Sequence, residues 1–314
     1  MIALGVDIGG TSIKGAAITD KGEILDRFSF KMDRLASPEK TFAQLCEEID
    51  KFLKDKSYRS EIVGIGLGVP GILDKDKGIV KSSPNMPKCI NFNIVNLVEN
   101  YFKKPVKIIN DASAAVLGEA RFGSGKEYNN IIMITLGTGV GGGIIIDRKL
   151  YDGLGGTGAQ LGHSMIRLNG RQCSCGRKGC LEAYASATAL IKSAKDNLAK
   201  YPDSKLNTVE EIDAKIIFEL EKQGDKLAKR LVREYVMYLS EGLLDYCNIF
   251  RPEVFLLSGG VANEGEYLVK KIVRYMKRHN YGYVNAPEIP VKLASLGYDS
   301  GKLGAASLIF ENHE

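Results

Sequence analysis

The sequence predicts an α/β protein of two lobes that arose by duplication, and three observations carry that prediction. Two segments, VDIGGTSIKGAAITDKGEIL from Val6 and ITLGTGVGGGIIIDRKL from Ile134, follow one pattern: a strand, a Gly-Thr turn, a second strand and a further turn. Short β-rich runs at 62–69, 106–109 and 254–257 alternate with helical periodicity, as in α/β architectures. The length of 314 residues exceeds what one compact core usually organises.

The remaining elements follow in order. The run 106–109 ends at Asn110-Asp111 and opens an alanine-rich helix over 112–120. Thr208 and Glu211 have capping-box spacing for a helix through Lys222, Gly224 interrupts, and a longer apolar pattern covers 227–246. Arg251-Pro252-Glu253 closes that helix before the next strand. No low-complexity tether is present, so the lobes are expected to meet across a hinge near 118–125.

Composition excludes several classes. Apolar content of 44 % and charged content of 26 % are globular values. The net charge of +5 comes from Lys and Arg interspersed with acids, with no basic block, so no nucleic-acid partner is expected. The longest uncharged run, 131–146, is short for a bilayer span and is broken by Gly137, Gly139, Gly141, Gly142 and Gly143. An acid at Asp7 arrives before any apolar signal-peptide core forms, and a cytoplasmic protein is expected.

The densest chemistry lies in GHSMIRLNGRQCSCGRKGCLEAY, where His163, Cys173, Cys175 and Cys180 fall within eighteen residues. One imidazole and three thiols make a closed structural zinc shell. Gly176 and Gly179 permit the tight turn, and Arg177 and Lys178 soften the charge of three thiolates. A disulfide is the competing reading, but Cys173 and Cys175 are poorly placed to bond each other, and Cys46, Cys89 and Cys247 lie scattered.

Glycine turns form a second set. In Asp7-Ile8-Gly9-Gly10-Thr11-Ser12-Ile13-Lys14, the turn amides and the Thr11 hydroxyl suit anionic oxygens, Lys14 adds charge, and Asp7 suits a Mg²⁺ ion held through water. A β-hairpin with glycines chosen for turn geometry explains the same residues. The second copy, Gly137-Thr138-Gly139, favours a polyphosphate gripped from both sides. A third turn, Ser258-Gly259-Gly260, leaves its backbone open to an adenine or ribose, or is simply a tight strand-to-helix turn. No G-x-x-x-x-G-K-[ST] sequence occurs, which excludes a P-loop enzyme.

Asn110-Asp111 reads equally as a helix cap and as a base at a strand's carboxyl end. Gly71 in Val69-Pro70-Gly71 and Asn85 in Ser83-Pro84-Asn85 lie in turns that offer contacts to a polar ligand or serve only as loops.

Taken together, these motifs resemble the ROK family of bacterial repressors, open reading frames and sugar kinases, within the actin-like, ribonuclease H-like ATPase superfamily. The resemblance runs from Gly5 to Leu308, and its most specific part is Gly162-His163, Cys173-x-Cys175-Gly176-x-x-Gly179-Cys180 and Glu182. It implies a duplicated two-lobe fold with an interlobe cleft and a small zinc knot. The lobes would be 1–118 plus 300–314 for sugar and phosphate, and 119–299 for the knot, ATP and dimerisation.

By the same resemblance Asp111 is the catalytic base, and Asn110, Glu182 and His163 bind sugar hydroxyls, the last while also holding zinc. Asp7, Gly10, Thr11, Thr138 and Gly139 match the phosphate segments, Gly259 and Gly260 match the adenosine segment, and Gly301–Ala306 matches a terminal helix returning to the first lobe. The implied function is ATP- and Mg²⁺-dependent phosphorylation of a hexose at its 6-hydroxyl, glucose foremost, by a homodimer or homotetramer. N-acetylmannosamine, allose and fructose are the alternative sugars.

The chain departs from the pattern at Gln160, where kinases of the family usually carry Glu, and at Leu181, where relatives often have Trp. An amide accepts at one atom, donates at the other and carries no charge, so an altered sugar or weaker binding is expected. The family's repressors carry a helix-turn-helix ahead of this body. Here the phosphate motif begins within the first residues, which argues against a repressor, and a sensor that binds sugar without catalysis is the other alternative.

Overall fold

The computed structural model describes residues 1–280 and 287–311. The first sheet is built from β1 (Ile2–Ile8), β2 (Ser12–Thr19) and β3 (Ile24–Lys31), followed by helix α1 (Pro38–Leu53) and β4 (Ile62–Val69). Three short strands come next, β5 (Ile72–Asp74), β6 (Ile79–Ser82) and β7 (Phe92–Asn93), then α2 (Ile94–Phe102), β8 (Val106–Asn110) and α3 (Asp111–Phe122). The second half repeats the scheme with β9 (Ile131–Leu136), β10 (Val140–Ile146) and β11 (Lys149–Tyr151). Helices α4 (Glu182–Ala185), α5 (Ala187–Lys195), α6 (Ala214–Lys222) and α7 (Lys226–Phe250) lead to β12 (Val254–Ser258), α8 (Glu266–His279), β13 (Val291–Leu293) and α9 (Ser300–Phe310).

The duplication is visible in the strand orders. One sheet runs β3-β2-β1-β4-β8 and the other β11-β10-β9-β12-β13, and β5, β6 and β7 form a third, small sheet. In each large sheet an antiparallel hairpin precedes parallel strands: β1 pairs antiparallel with β2 and parallel with β4, and β12 is parallel to both β9 and β13.

Two compact units divide the chain: Met1–Asn129 with Gly143–Ala159 and Ser295–Glu314, and Asn130–Gly142 with Gln160–Ala294. These bounds differ from the expected ones for a physical reason. Helix α3 runs unbroken through residue 118 and ends at Phe122, within the 118–125 span expected to hold a hinge. Its end is fixed within the first unit by Glu119, a fully buried side chain that accepts from the backbone N–H of Ser124 (2.9 Å) and Leu296 (2.7 Å) and from the Ser295 hydroxyl (3.3 Å).

In the first unit, β1 is buried on both faces, and its two side-chain sets differ in size. Leu4, Val6 and Ile8 join Leu45, Ile49, Leu67 and Val98 in one core, while Ala3 faces Ala306, Ile309 and Phe310 of α9. Period-2 alternation puts Ala3, Gly5 and Asp7 on one face, and those small positions let α9 come close. A Cβ at Gly66 would overlap the Ala305 carbonyl oxygen, and one at Gly304 would overlap that of Ala114. The return of α9 to the first unit agrees with the resemblance of its sequence.

In the second unit, the expected capping box does not form. Asp213 caps α6 instead, its Oδ1 accepting from the Ile216 N–H at 2.7 Å, while the Thr208 hydroxyl donates to the Lys205 carbonyl at 2.9 Å in a preceding 3₁₀ turn. Asp is as good a cap as Thr, and it stands directly before the apolar face of α6. Gly224, at φ 98°, breaks the chain before α7, and Arg251, at φ 45°, ends it. No helix among the described residues is long and apolar enough to cross a membrane.

Backbone-to-backbone packing of this kind tolerates no side chain, so Gly66→Ala is expected to destabilise the protein by roughly 3 kcal/mol or more. Urea unfolding of wild type and variant measures this, and a loss below about 1 kcal/mol would contradict the packing described.

Candidate active site

In the first unit, the β1–β2 turn is closed by the Gly9 N–H donating to the Ser12 carbonyl at 3.0 Å. Asp7 and Lys14 are register partners across the hairpin, and Thr11 at its tip is exposed. A Cβ at Gly10 would lie 3.5 Å from Asn85 Oδ1, so the structure brings the Gly10 turn and Asn85 together. The Asn85 loop leaves the end of β6 and is held by Arg34, whose Nη2 and Nε donate to the carbonyls of Pro84 (3.1 Å) and Asn85 (3.4 Å). Nothing in the sequence pointed to Arg34.

Gly71 is joined to Asn110 in the same unit. Its φ of 117° and the Ser82 carbonyl beside it exclude a side chain, and its own carbonyl accepts from Asn110 Nδ2 at 3.3 Å. Asn110 Oδ1 accepts from the N–H of Ala112 (3.0 Å) and Ser113 (3.3 Å), so Asn110 is the cap of α3. Asp111 is thereby released from capping and stands as the first helical residue at the carboxyl end of β8, its Oδ1 taking one N–H from Ala112 at 2.9 Å.

The two carboxylates of this unit share an electrostatic strain. Burial pushes Asp111 above the ordinary carboxylate range, and the hydrogen bonds from backbone amides and Asn110 oppose it without cancelling it. Burial raises Asp7 as well, the negative charge of Asp111 adds to the shift, and the cations Lys302 and Lys14 pull the other way. Gly301 lies against Asp7, where a Cβ would sit 3.5 Å from its carboxyl carbon. Lys302, a buried ammonium, pairs with Asp299 at 2.6 Å. Lys302 was not among the residues singled out in the sequence, because a lysine inside an alanine- and leucine-rich helix gives no local signal.

In the second unit, His163, Cys173, Cys175 and Cys180 place one donor atom each within 4.8 Å of one another. Cys173 Sγ lies 3.6 Å from His163 Nδ1, and Cys175 Sγ lies 3.7 Å from Cys180 Sγ. Those separations are far beyond a disulfide bond. They match the ligand-to-ligand edge of a tetrahedron with metal–sulfur bonds of about 2.3 Å, which is about 3.8 Å. The donor set therefore fits a tetrahedral ion bound through Nδ1 of His163.

Around the knot, Arg177 Nη1 donates to the His163 carbonyl at 3.4 Å and its backbone N–H lowers the Cys175 thiol. The knot is anchored to α7. The Tyr246 hydroxyl donates to the Leu161 carbonyl at 2.5 Å and lies 2.6 Å from Ser164 Oγ, and buried Leu181 packs against Gly242. Gln160 leads into the same short turn, its carbonyl accepting from the His163 N–H at 2.9 Å.

Glu182 ties the knot to the second Gly-Thr turn. Its Oε1 accepts from the Ser174 hydroxyl at 2.7 Å and its Oε2 from the Val140 N–H at 3.0 Å, while a Cβ at Gly139 would collide with that same carboxylate. Gly139 is thus required by the approach of Glu182, a reason its sequence did not reveal. Thr138 is exposed, and the Gly137 carbonyl accepts from the Ala187 N–H at 2.8 Å.

The third turn is also built for glycine. Gly259 has φ 90°, and a Cβ there would lie 2.5 Å from the Leu136 carbonyl oxygen, whereas Gly260 has open space. Gly260 lines a cavity of about 230 Å³ together with Ala214, Lys215, Phe218 and Asn263. The residues contributed by α6 to this cavity carry no motif and were not legible beforehand.

The model of the ROK family matches residues 3–312. The chain belongs to the ROK family. It is 35 % identical to a glucokinase of Thermotoga maritima, over 98 % of this chain and 97 % of that protein. A ROK family glucokinase from Streptomyces griseus, solved with glucose and AMPPNP, superposes with a TM-score of 0.79 at 34 % identity, covering 98 % of this chain and 99 % of that one. The ROK hexokinase of Thermus thermophilus gives a TM-score of 0.83 at 30 % identity, over 100 % and 99 % of the two chains. The expected family and the mixed α/β fold with two large sheets are therefore borne out, and the ROK chain carries its signature cysteines where a metal fits them.

Elemental analysis of the pure ROK protein is expected to find about one tetrahedrally bound ion per chain, and Cys175→Ser to lose most of it. Full metal content in Cys175→Ser would contradict the ligand set.

Proposed function

We propose that the protein transfers the γ-phosphoryl group of ATP to the 6-hydroxyl of a hexose, with glucose as the principal substrate. The observation that carries this reading is Asp111: a carboxylate freed from capping by Asn110 and raised by burial, in a chain with family membership and glucokinase relatives. Asp111 takes the proton of the 6-hydroxyl as that oxygen attacks the γ-phosphorus in line, the bond to the β-γ bridging oxygen breaks, and ADP leaves.

Asn85, Asn110, Gln160, His163 and Glu182 are assigned to the sugar hydroxyls, with the Gly71 backbone as a further contact to the sugar. His163, with Nδ1 given to the metal, keeps Nε2 for a hydroxyl in a defined tautomer. Asp7, Gly9, Gly10, Thr11, Lys14, Gly137, Thr138 and Gly139 are assigned to the phosphates, and Gly259 and Gly260, with the cavity beside them, to adenosine. Mg²⁺, held near Asp7 through water, would offset charge on the transferring phosphoryl group. The closed Cys₃His donor set fits zinc in a structural role. A cytoplasmic homodimer or homotetramer completes the proposal, and light scattering checks the assembly.

Asp111→Asn separates catalysis from folding. A coupled ATP assay is expected to show kcat/KM falling about 10²- to 10⁴-fold. Because the folded-state pKa of Asp111 is raised, ionising it costs folding free energy as pH climbs from the ordinary aspartate range through the raised value. The neutral variant avoids that cost, so its thermal midpoint at pH 7 is expected to lie above that of wild type. The same direction places the acid limb of the kcat/KM profile above the ordinary aspartate range. Full activity in Asp111→Asn, or no turnover of any hexose by wild type, would overturn the assignment.

Gln160→Glu tests the sugar. Adding a charge-assisted acceptor is expected to lower the KM for glucose about tenfold, measured over a panel with N-acetylmannosamine, allose and fructose. A gain for a different sugar alone would replace glucose as the substrate.

A further inference from the structure

We propose that the first unit holds a binding site for an organic phosphate, built at the far end of α3 from Asp111. A cavity of about 730 Å³ opens there between the end of α3, the β10–β11 hairpin and the end of α9. Its size is that of a metabolite pocket and far exceeds one inorganic anion. Ten residues separate Asp111 from Arg121, about 15 Å along a helix axis, so the cavity is distinct from every residue assigned to phosphoryl transfer.

The lining combines charge with apolar wall. Arg121, Arg148 and Lys149 contribute cations against the carboxylates of Asp147 and Glu311, and Leu117, Ile145 and Leu150 supply carbon surface. The guanidinium of Arg148 is already oriented: Nη2 donates to the Lys126 carbonyl at 2.9 Å and Nη1 to Asn129 Oδ1 at 3.3 Å. Both acceptors are neutral, so these two hydrogen bonds orient the guanidinium without neutralising it. A planar fork with donors to spare is suited to a phosphate, and the carbon wall needs an organic portion to cover it.

A second, independent feature marks the same place. Ile146 pairs with Lys149, so Asp147 and Arg148 form a two-residue hairpin turn, with φ of 49° and 63°. Such turns strongly favour Asn-Gly or Asp-Gly, because both central residues are left-handed. Arginine at the second position carries strain that glycine would remove, and strain of this kind persists at ligand clamps. The side chain kept at that cost is the one that reaches into the cavity's lining.

The experiment is a ³¹P NMR and calorimetric titration of the full chain with phenyl phosphate, 3-phosphoglycerate and inorganic phosphate. It is run with a saturating non-hydrolysable ATP analogue and Mg²⁺, so that the glycine turns assigned to ATP are filled. Saturable binding of at least one organic phosphate is expected, weakened about tenfold or more in Arg148→Gly and several-fold in Lys149→Gln. Arg148→Gly relieves a left-handed residue, so its thermal midpoint is expected to stay level or rise. Lys149→Gln, at an exposed position, serves as the second variant if the first misfolds. Absence of saturable binding across the organic phosphates overturns the proposal. So does wild-type affinity in both variants, or inorganic phosphate binding as tightly as the organic ones.

Discussion

The close approach of α9 to the first sheet is the constraint on which the chemistry of the first unit depends. It leaves no space for a side chain at Gly5, against the Lys302 carbonyl, or at Gly66, against that of Ala305, and the α9 face of β1 is small at Ala3 as well. In return it delivers the first turn of α9 to Asp7, the last member of that same face, so that Gly301 lies against the carboxylate. The next residue, Lys302, brings a buried ammonium whose charge is felt at Asp7, and Asp299 and Arg27 extend the chain of alternating charges outward, at 2.6 and 2.8 Å. A buried cation is costly unless paired. Here Asp299 pairs it locally, and its charge also pulls Asp7 down against the effect of burial.

That electrostatic arrangement also explains a division of labour at the start of α3. Were Asp111 the cap, its carboxylate would be consumed by two or three backbone amides and held low, useless as a base near neutrality. Asn110 takes the Ala112 and Ser113 amides with its oxygen and the Gly71 carbonyl with its nitrogen, using both ends of the amide. The carboxylate next to it accepts from the Ala112 N–H, and its pKa rises with burial despite this and the other hydrogen bonds that oppose the shift. The order Asn-Asp at the end of β8 thus gives the capping to the amide and leaves the carboxylate beside it for other contacts.

Much of this was legible in the sequence wherever chemistry is local. The repeated hairpin, the strands at 62–69, 106–109 and 254–257 and the Cys₃His spacing each depend on residues close in the chain, and the structure has them within a residue of the expected bounds. What was illegible depends on long-range approach. Thr208 and Asp213 are both competent caps, and only the packing of α6 selects Asp213. The packing of Glu119 was likewise hidden, because it reaches 177 positions onward to Leu296. Lys302 and the α6 residues beside Gly260 carry no motif, and their roles exist only once distant segments meet. Gln160 is the reverse case, visible as a departure in the sequence and unremarkable in backbone geometry.

The duplicated turns show how one pattern is supported by two unrelated devices. In the first unit the Gly10 turn lies against Asn85, and Asp7 before it lies against Gly301 of α9. In the second unit Gly139 must be glycine because Glu182 sits on it, and Glu182 is held by Ser174, which lies between two of the metal-ligating cysteines. The turn is therefore positioned through a side-chain relay that begins at the metal knot. A metal ion held by Cys173 and Cys175 would fix the Ser174 that lies between them, and Ser174 donates to the carboxylate that accepts from the Val140 amide. The two copies share a hairpin pattern, but the Gly139 turn is held by Glu182 beside the Cys₃His cluster, where the Gly10 turn lies against Asn85.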